Sequence, residues 1–280
     1  MLFVTRARYA EHMQVGSLLK QWRRARRMSQ QDLAMASEVS TRHISFVENG
    51  KSSPSREMVL VLASALDMPL RERNVLLASA GFAPAYRESK LSDPDMAGVR
   101  QVLDIILEHQ EPYPAIVLDH VWNLVRMNAA GMRVLGRFLG ERPDPALLKN
   151  VMHALFHPDG FRPWVVNFDD VASAVIDRLY REAMIEPEGS PARTLLAELE
   201  AYEGVSAKMR SVDLERAFSV AIPLHLRKGD VDVRFLTTIT TLGTPLDVTA
   251  QELRIESYFP ADAQTRAWVE SLAPRAVARS

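Results

Sequence analysis

The chain has 280 residues, of which 47% are hydrophobic, 25% are charged and none is cysteine. With no cysteine, disulfides, thiolate metal sites and cysteine nucleophiles are all excluded. The net charge of −1 conceals an uneven distribution: residues 1–92 carry 14 Lys and Arg against 8 Asp and Glu, the remainder 20 against 27. A basic first part and an acidic second part suit a polyanion-binding domain joined to a domain with a different task. The length fits two domains. No window approaches the roughly 18–20 apolar residues that cross a bilayer, and Met1–Arg8 is too soon charged for a secretory signal, so the expected location is cytoplasmic.

Five short helices are predicted first. Gly16–Arg26 places Leu18, Leu19 and Trp22 on one face. Ser29 stands where an N-cap belongs, with Asp32 three residues later as an acidic capping box for a helix over Gln30–Ala36. After a turn at Ser37–Val39, Ser40 caps Thr41–Asn49, which Gly50 stops. Arg56–Leu66 and Arg71–Ala80 complete the set, and Arg87–Asp95 reads as a polar linker.

The second part mixes helices and strands. Gly98–Glu108 has Val99, Val102, Ile105 and Ile106 on a common helical face. Ala115–Asp119 and Val121–Met127 predict a strand hairpin. Helices follow at Asn128–Leu139, Pro145–Phe156, Val171–Met184 and Ala192–Tyr202. Phe218–Arg227, Val231–Thr241 and Glu252–Phe259 are β-rich, and Thr265–Leu272 is a last helix. The expected domains are 12–86, a linker 87–97, and 98–273. The fold class is an all-α first domain and an α+β second domain with an antiparallel sheet.

Two short helices joined by a tight turn fit a helix-turn-helix, although periodicity alone also allows a plain helical bundle. Met28-Ser-Gln-Gln-Asp-Leu-Ala, Val39-Ser-Thr-Arg-His-Ile-Ser-Phe-Val-Glu-Asn-Gly-Lys, Pro54-Ser and Leu60–Leu66 closely resemble the phage-repressor and Cro-like family, also called the xenobiotic-response-element family. The resemblance implies a domain that binds double-stranded DNA through its third helix. Ile44 and Val47 then face a core with Leu18, Leu33, Leu60 and Leu62, while Thr41, Arg42, Ser45 and Phe46 form the open face with His43 at its edge. Arg42 can fork onto guanine, Thr41 and Phe46 can meet a thymine methyl, and His43 can reach a base or a phosphate. Gln30 offers its amide and a helix N-terminus to phosphate. Lys51, Ser53 and Arg56 are expected on the backbone. Arg23 and Glu48 match positions that form an internal ion pair in that family.

Pro114-Ala-Ile-Val-Leu-Asp, Asn128-Ala-Ala, Asn150 with Phe156-His-Pro-Asp-Gly, Val166-Asn-Phe before a helix with Arg178, and Gly243-Thr-Pro resemble the MmyB-like ligand-binding domain. That resemblance implies a PAS-like fold, in which a sheet and helices enclose an apolar pocket, and a small hydrophobic, fatty-acid-like ligand. A tryptophan expected at the start of the long helix is Phe168 here. Phe156, Phe161 and Trp164 cluster around a Gly/Pro-rich bend and are the chosen ligand-contacting residues, although large aromatics also serve any core of this size.

His153 and His157 have metal-ligand spacing with Asp159 close behind, but no clear third ligand. Neither G-x-S-x-G, P-loop nor G-x-G-x-x-G occurs. No catalytic residue, cofactor or metal is therefore expected. The reading is a sequence-specific, homodimeric, non-enzymatic transcription regulator that senses a hydrophobic ligand and has no membrane partner. Two other readings stay open: a helix-turn-helix protein whose second domain does chemistry, and one whose second domain grips a protein. Chemistry requires convergent titratable groups in the pocket. A protein partner requires a large exposed apolar patch on the sheet instead of an enclosed cavity.

Overall fold

The computed structural model describes residues 14–185, 189–205 and 221–273. They fall into two compact units, one formed by the chain up to Lys90 with Gly243–Gln251, the other by Leu91–Leu242 and the chain from Glu252 on.

The first unit is helical: α1 (Val15–Ala25), α2 (Gln30–Ser37), α3 (Thr41–Glu48), α4 (Arg56–Ala65) and α5 (Leu70–Ser79). Local chemistry sets the boundaries. Ser29 and Asp32 close a reciprocal capping box on α2, and the Ser40 and Ser55 hydroxyls accept N–H groups at the starts of α3 and α4. Glu38, at φ 56°, turns the chain between α2 and α3. Leu18, Leu19, Trp22, Leu33, Ile44, Val47 and Leu62 are buried, but Leu60 is only half-buried. Val59, Leu62, Ala63 and Leu66 form the buried stripe of α4, the i, i+3, i+4, i+7 set that leaves Leu60 at its margin.

Gly243–Gln251 completes this unit by hydrogen bonding. Val248 N–H donates to the Arg87 carbonyl at 2.8 Å, and the Asp247 carboxylate accepts from Ser89 N–H at 3.0 Å. Pro69 has no side chain with which to cap α5, and the Leu70 N–H donates instead to Gln251 Oε1 at 2.7 Å.

The second unit is built on an antiparallel five-stranded sheet ordered β2-β1-β5-β4-β3, with β1 Ala115–Leu118, β2 Leu124–Met127, β3 Leu224–Lys228, β4 Val231–Thr240 and β5 Arg254–Pro260. Its helices are α6 (Ala97–His109), α7 (Ala129–Leu139), α8 (Pro145–Leu148), α9 (Val151–Phe156), α10 (Phe168–Ile185), α11 (Pro191–Glu200) and α13 (Ala263–Ser271), while α12 (Val248–Glu252) joins the two units' residues in the β4–β5 connection. Leu103 and Leu107 of α6 pack on Ala115, Val117 and Ile255, on one face of the sheet. The opposite face carries Ile116, Leu226, Phe235 and Tyr258 against the remaining helices.

Three expectations need correction. Val102 and Ile105 are more than 40% exposed, because Leu103 and Leu107, not they, define the buried stripe of α6. Pro145–Phe156 is two helices, not one: Asn150 accepts N–H groups from Met152 and His153 and donates to the Val121 carbonyl at 2.7 Å, so its side chain restarts the helix. Glu252 ends α12 instead of beginning a strand. The expected strand start at Phe218 lies outside the described residues.

Candidate functional site: an exposed helix face and an apolar cavity

In the first unit, α3 shows Thr41, Arg42 and Phe46 to solvent, with Ser45 half-buried beside them. Ile44, Val47 and Glu48 point inward, as a helix of period 3.6 requires. The Arg42 guanidinium lies over the Phe46 ring at 5.3 Å and meets no carboxylate among the described residues. Phe46 is 36% exposed, an apolar ring whose uncovered part is held in line with a cation.

Gly16 lets α1 approach the end of α3, since a Cβ there would sit 2.2 Å from the Val47 carbonyl oxygen. Arg23 of α1 donates to both Glu48 oxygens, at 2.6 and 2.8 Å, and to the Met28 carbonyl at 2.8 Å. Burial alone would raise the Glu48 carboxyl, but its hydrogen bonds from Arg23 and Gln30 outweigh that and hold it below the usual range. The pair fixes the tilt of α3.

Gln30 Nε2 donates to Glu48 Oε2 at 2.8 Å, so the amide expected on a phosphate is engaged within the unit. His43 is half-buried, and its Nε2 is enclosed without a hydrogen-bond partner among the described residues, which turns that nitrogen away from the open edge. Lys51 and Ser53 are exposed and Arg56 half-buried, following α3 in the chain.

The second unit contains a cavity of about 400 Å³ between the inner sheet face and α7, α9 and α10. Strand register accounts for its wall: Ile116 lies opposite Glu256, Thr237 opposite Tyr258, Ile239 opposite Glu256 and Leu224 opposite Phe235, and all face the same side. Most of the wall is aliphatic, with Phe161 among its aromatics. Phe156 and Trp164 are not on it. Phe156 is fully buried, edge-on to Phe168 at 5.4 Å, and Trp164 lies under Lys228 Nζ at 4.6 Å. Both belong to packing around the wall, so of the three aromatics only Phe161 reaches the space.

One side of the wall is polar. Glu256 shares the wall with Tyr258, Thr237 and Arg178; loss of hydration pushes its carboxyl up, against the pull of Tyr258, Arg178 and Thr237 in the other direction. Burial, reinforced by Glu256, likewise raises the Tyr258 hydroxyl well above its usual value. Trp122 also touches the space, with the Arg178 and Arg254 guanidiniums 4.8 and 4.7 Å from its ring. Both arginines bind Glu182, each at 3.2 Å. Trp122 adopts φ 66°, costly for a bulky residue, while Asp119 accepts the N–H groups of Val121 and Asn123 on either side of it at 2.9 Å. Sequence reading missed Glu256, Tyr258 and Thr237. Alternation in Arg254-Ile-Glu-Ser-Tyr-Phe makes the Glu256 face look like the solvent face, and only the cavity reverses that.

His153 pairs with Tyr202 and Glu198 at 3.1 Å, while His157 Nδ1 accepts from Asp159 N–H at 3.0 Å. Among the described residues no group of three or more His, Asp or Glu is placed to hold a metal ion, and no helix is long and apolar enough to cross a membrane.

A capped helix pair with an exposed third-helix face, followed by a sheet domain with a cavity, is the arrangement of a DNA-binding transcription regulator with a ligand-binding domain, and the family matches give that class. Residues 19–73 match the helix-turn-helix family, and residues 99–272 match the MmyB-like transcription regulator ligand binding domain. The second match covers well over half of the chain, which therefore belongs to that family. No curated protein matches the chain in sequence.

Proposed function

We propose that α3 reads an operator through Thr41, Arg42, Ser45 and Phe46, with Lys51, Ser53 and Arg56 on the phosphates, and that the second unit adjusts this binding to a small hydrophobic ligand. The cavity carries the sensing half of the reading: its size lies in the ~300–1,000 Å³ range of small-molecule sites, and its wall is mostly apolar with a few convergent polar groups. The exposed Arg42–Phe46 pair supports the DNA half, because a guanidinium can fork onto guanine while an aromatic covers a thymine methyl. Ligand acts through different affinities for DNA-competent and DNA-incompetent arrangements. The protein works as a homodimer on a near-palindrome whose half-sites lie about 34–36 Å apart.

Selection of duplexes from a random library by the full chain tests the DNA half. Arg42→Ala should cost about 1–3 kcal/mol of discrimination at one base position, whereas Arg56→Ala should weaken all sequences alike and reduce the salt slope by about 1. Wild-type discrimination by Arg42→Ala would remove α3 from base reading. For the second unit, native mass spectrometry of protein purified from its host should show a dimer retaining a small apolar molecule. A monomer at operator-binding concentrations would overturn the dimer.

A further inference from the structure

The β4–β5 connection ties the cavity wall to the first unit. Thr237 and Ile239 of β4 and Glu256 and Tyr258 of β5 line the cavity, whereas Gly243–Gln251 between those strands belongs to the first unit. The chain returns to the second unit inside a helix, α12, whose Val248 and Ala250 are buried. Two consecutive residues of α12 therefore hold on to different units. Gln251 Oε1 accepts the Leu70 N–H at 2.7 Å, at the start of α5. Glu252 Oε2 lies 3.1 Å from His120 Nδ1.

From Glu252 the path leads to the cavity. His120 sits in the same loop as Trp122, which lines the space, and Asp119 braces that loop through the Val121 and Asn123 N–H groups. Arg254, two residues beyond Glu252, lies over the Trp122 ring at 4.7 Å and pairs in the sheet with Leu118. From Gln251 the path leads to α3. The turn before α5 is held by α1, whose Arg26 donates to the Leu66 and Asp67 carbonyls at 3.0 and 2.6 Å, and α1 also carries Arg23, which grips Glu48 of α3. Pro69 gives α5 no cap of its own, so the Leu70 N–H is either bonded to Gln251 or released. A bond with two such alternatives turns a small displacement into a difference between two arrangements, which is what coupling requires. Given the proposed ligand-sensing role, on which this rests, we propose that α12 couples the cavity to the reading domain: an occupant that moves the Trp122 loop changes the hold of His120 on Glu252, and α12 passes the shift to Gln251 and the start of α5.

Because coupling is reciprocal, DNA must change affinity at the cavity as much as an occupant changes affinity for DNA. The full chain is titrated with an uncharged naphthylamine dye, with and without a saturating duplex selected from the random library. Wild-type dye affinity should change at least about fivefold when the duplex is bound. Gln251→Ala should bring that change within about twofold while dye affinity without DNA stays at the wild-type value. Gln251→Glu, which retains an acceptor oxygen, should restore it. A cap with a purely structural role would alter DNA affinity and leave the ratio as it was. If Gln251→Ala unfolds the first unit, His120→Ala tests the same path from the other end and should also bring the change within about twofold. Full coupling in folded Gln251→Ala or His120→Ala would overturn the inference and leave the sensing role standing. Dye that fails to bind, or that binds wild-type protein with no regard to DNA, would remove the sensing role and the inference with it.

Discussion

Each unit turns a glutamate inward, Glu48 buried and Glu256 half-buried on a cavity wall, and the two are held in opposite ways. Glu48 lies between α1 and α3 with Arg23 and Gln30 on its oxygens, and its carboxyl is held low. Glu256 lies on a cavity wall with Tyr258 and Thr237, the Arg178 guanidinium there is bound to Glu182, and the Glu256 carboxyl is pushed up. In the first case the protein supplies every partner the buried charge requires, and the outcome is a fixed helix angle. In the second it withholds a full counter-charge and leaves empty space alongside. Completing a polar group internally produces a rigid presenting surface. Leaving one partly unanswered makes a place for a molecule from outside.

The largest expected effect tests the closed half of this contrast. Arg23→Met keeps much of the side-chain volume but strands Glu48, and should destabilise the first unit by about 3 kcal/mol. Peptide-level hydrogen exchange should show lost protection over α1–α3 with protection over α6 and α7 retained. If protection over α1–α3 is unchanged, the ion pair does not hold the helix angle.

The open half can be closed by design. Val175 lines the cavity from α10, and Val175→Phe should fill part of it, at an overpacking cost of about 1 kcal/mol. Dye affinity should fall at least about tenfold while DNA affinity without ligand stays at the wild-type value. Full dye binding by a folded variant would place the dye elsewhere.

Acidity should separate the two glutamates by the sign of a smaller effect, below about 1 kcal/mol per pH unit. The lowered Glu48 carboxyl, facing Arg23 and Lys20, contributes stability at neutral pH that is lost as pH falls through its folded value. The raised Glu256 carboxyl, facing Arg178 and Tyr258 with Arg181 also on the wall, contributes stability that is complete below the ordinary carboxylate range and is lost as pH rises through its folded value. Accordingly, Glu48→Gln should flatten the limb of protection below the ordinary carboxylate range in the first unit, and Glu256→Gln the limb above it in the second. Acid limbs that respond equally to both substitutions would contradict the assigned directions.

What was legible beforehand depended on range in the chain. Ser29 with Asp32, and Ser40 before Thr41, act within one helical turn, so their capping is visible in the residue order itself. The Arg23–Glu48 pair, 25 residues apart, was reached through the family resemblance and is present. Gln30 was given to phosphate because nothing local reveals that Glu48 takes its amide. Aromatic bulk suggested Phe156 and Trp164 for the ligand, yet burial draws such side chains into packing as readily as into a cavity wall. Glu256 was hidden by its own alternation pattern: strand periodicity tells which residues share a face, not whether that face meets water or a hollow.

The first unit's dependence on Gly243–Gln251 bears on how the molecule can be divided. A fragment ending at Lys90 contains α1–α5 but lacks Gln251 for the Leu70 N–H, Asp247 for the Ser89 N–H and Val248 for the Arg87 carbonyl. The DNA-binding module is therefore not a detachable cassette. Transplanting it, shuffling it onto another sensor or expressing it alone takes a seam from the β4–β5 connection along with it, so in this chain modularity of sequence and modularity of fold do not coincide.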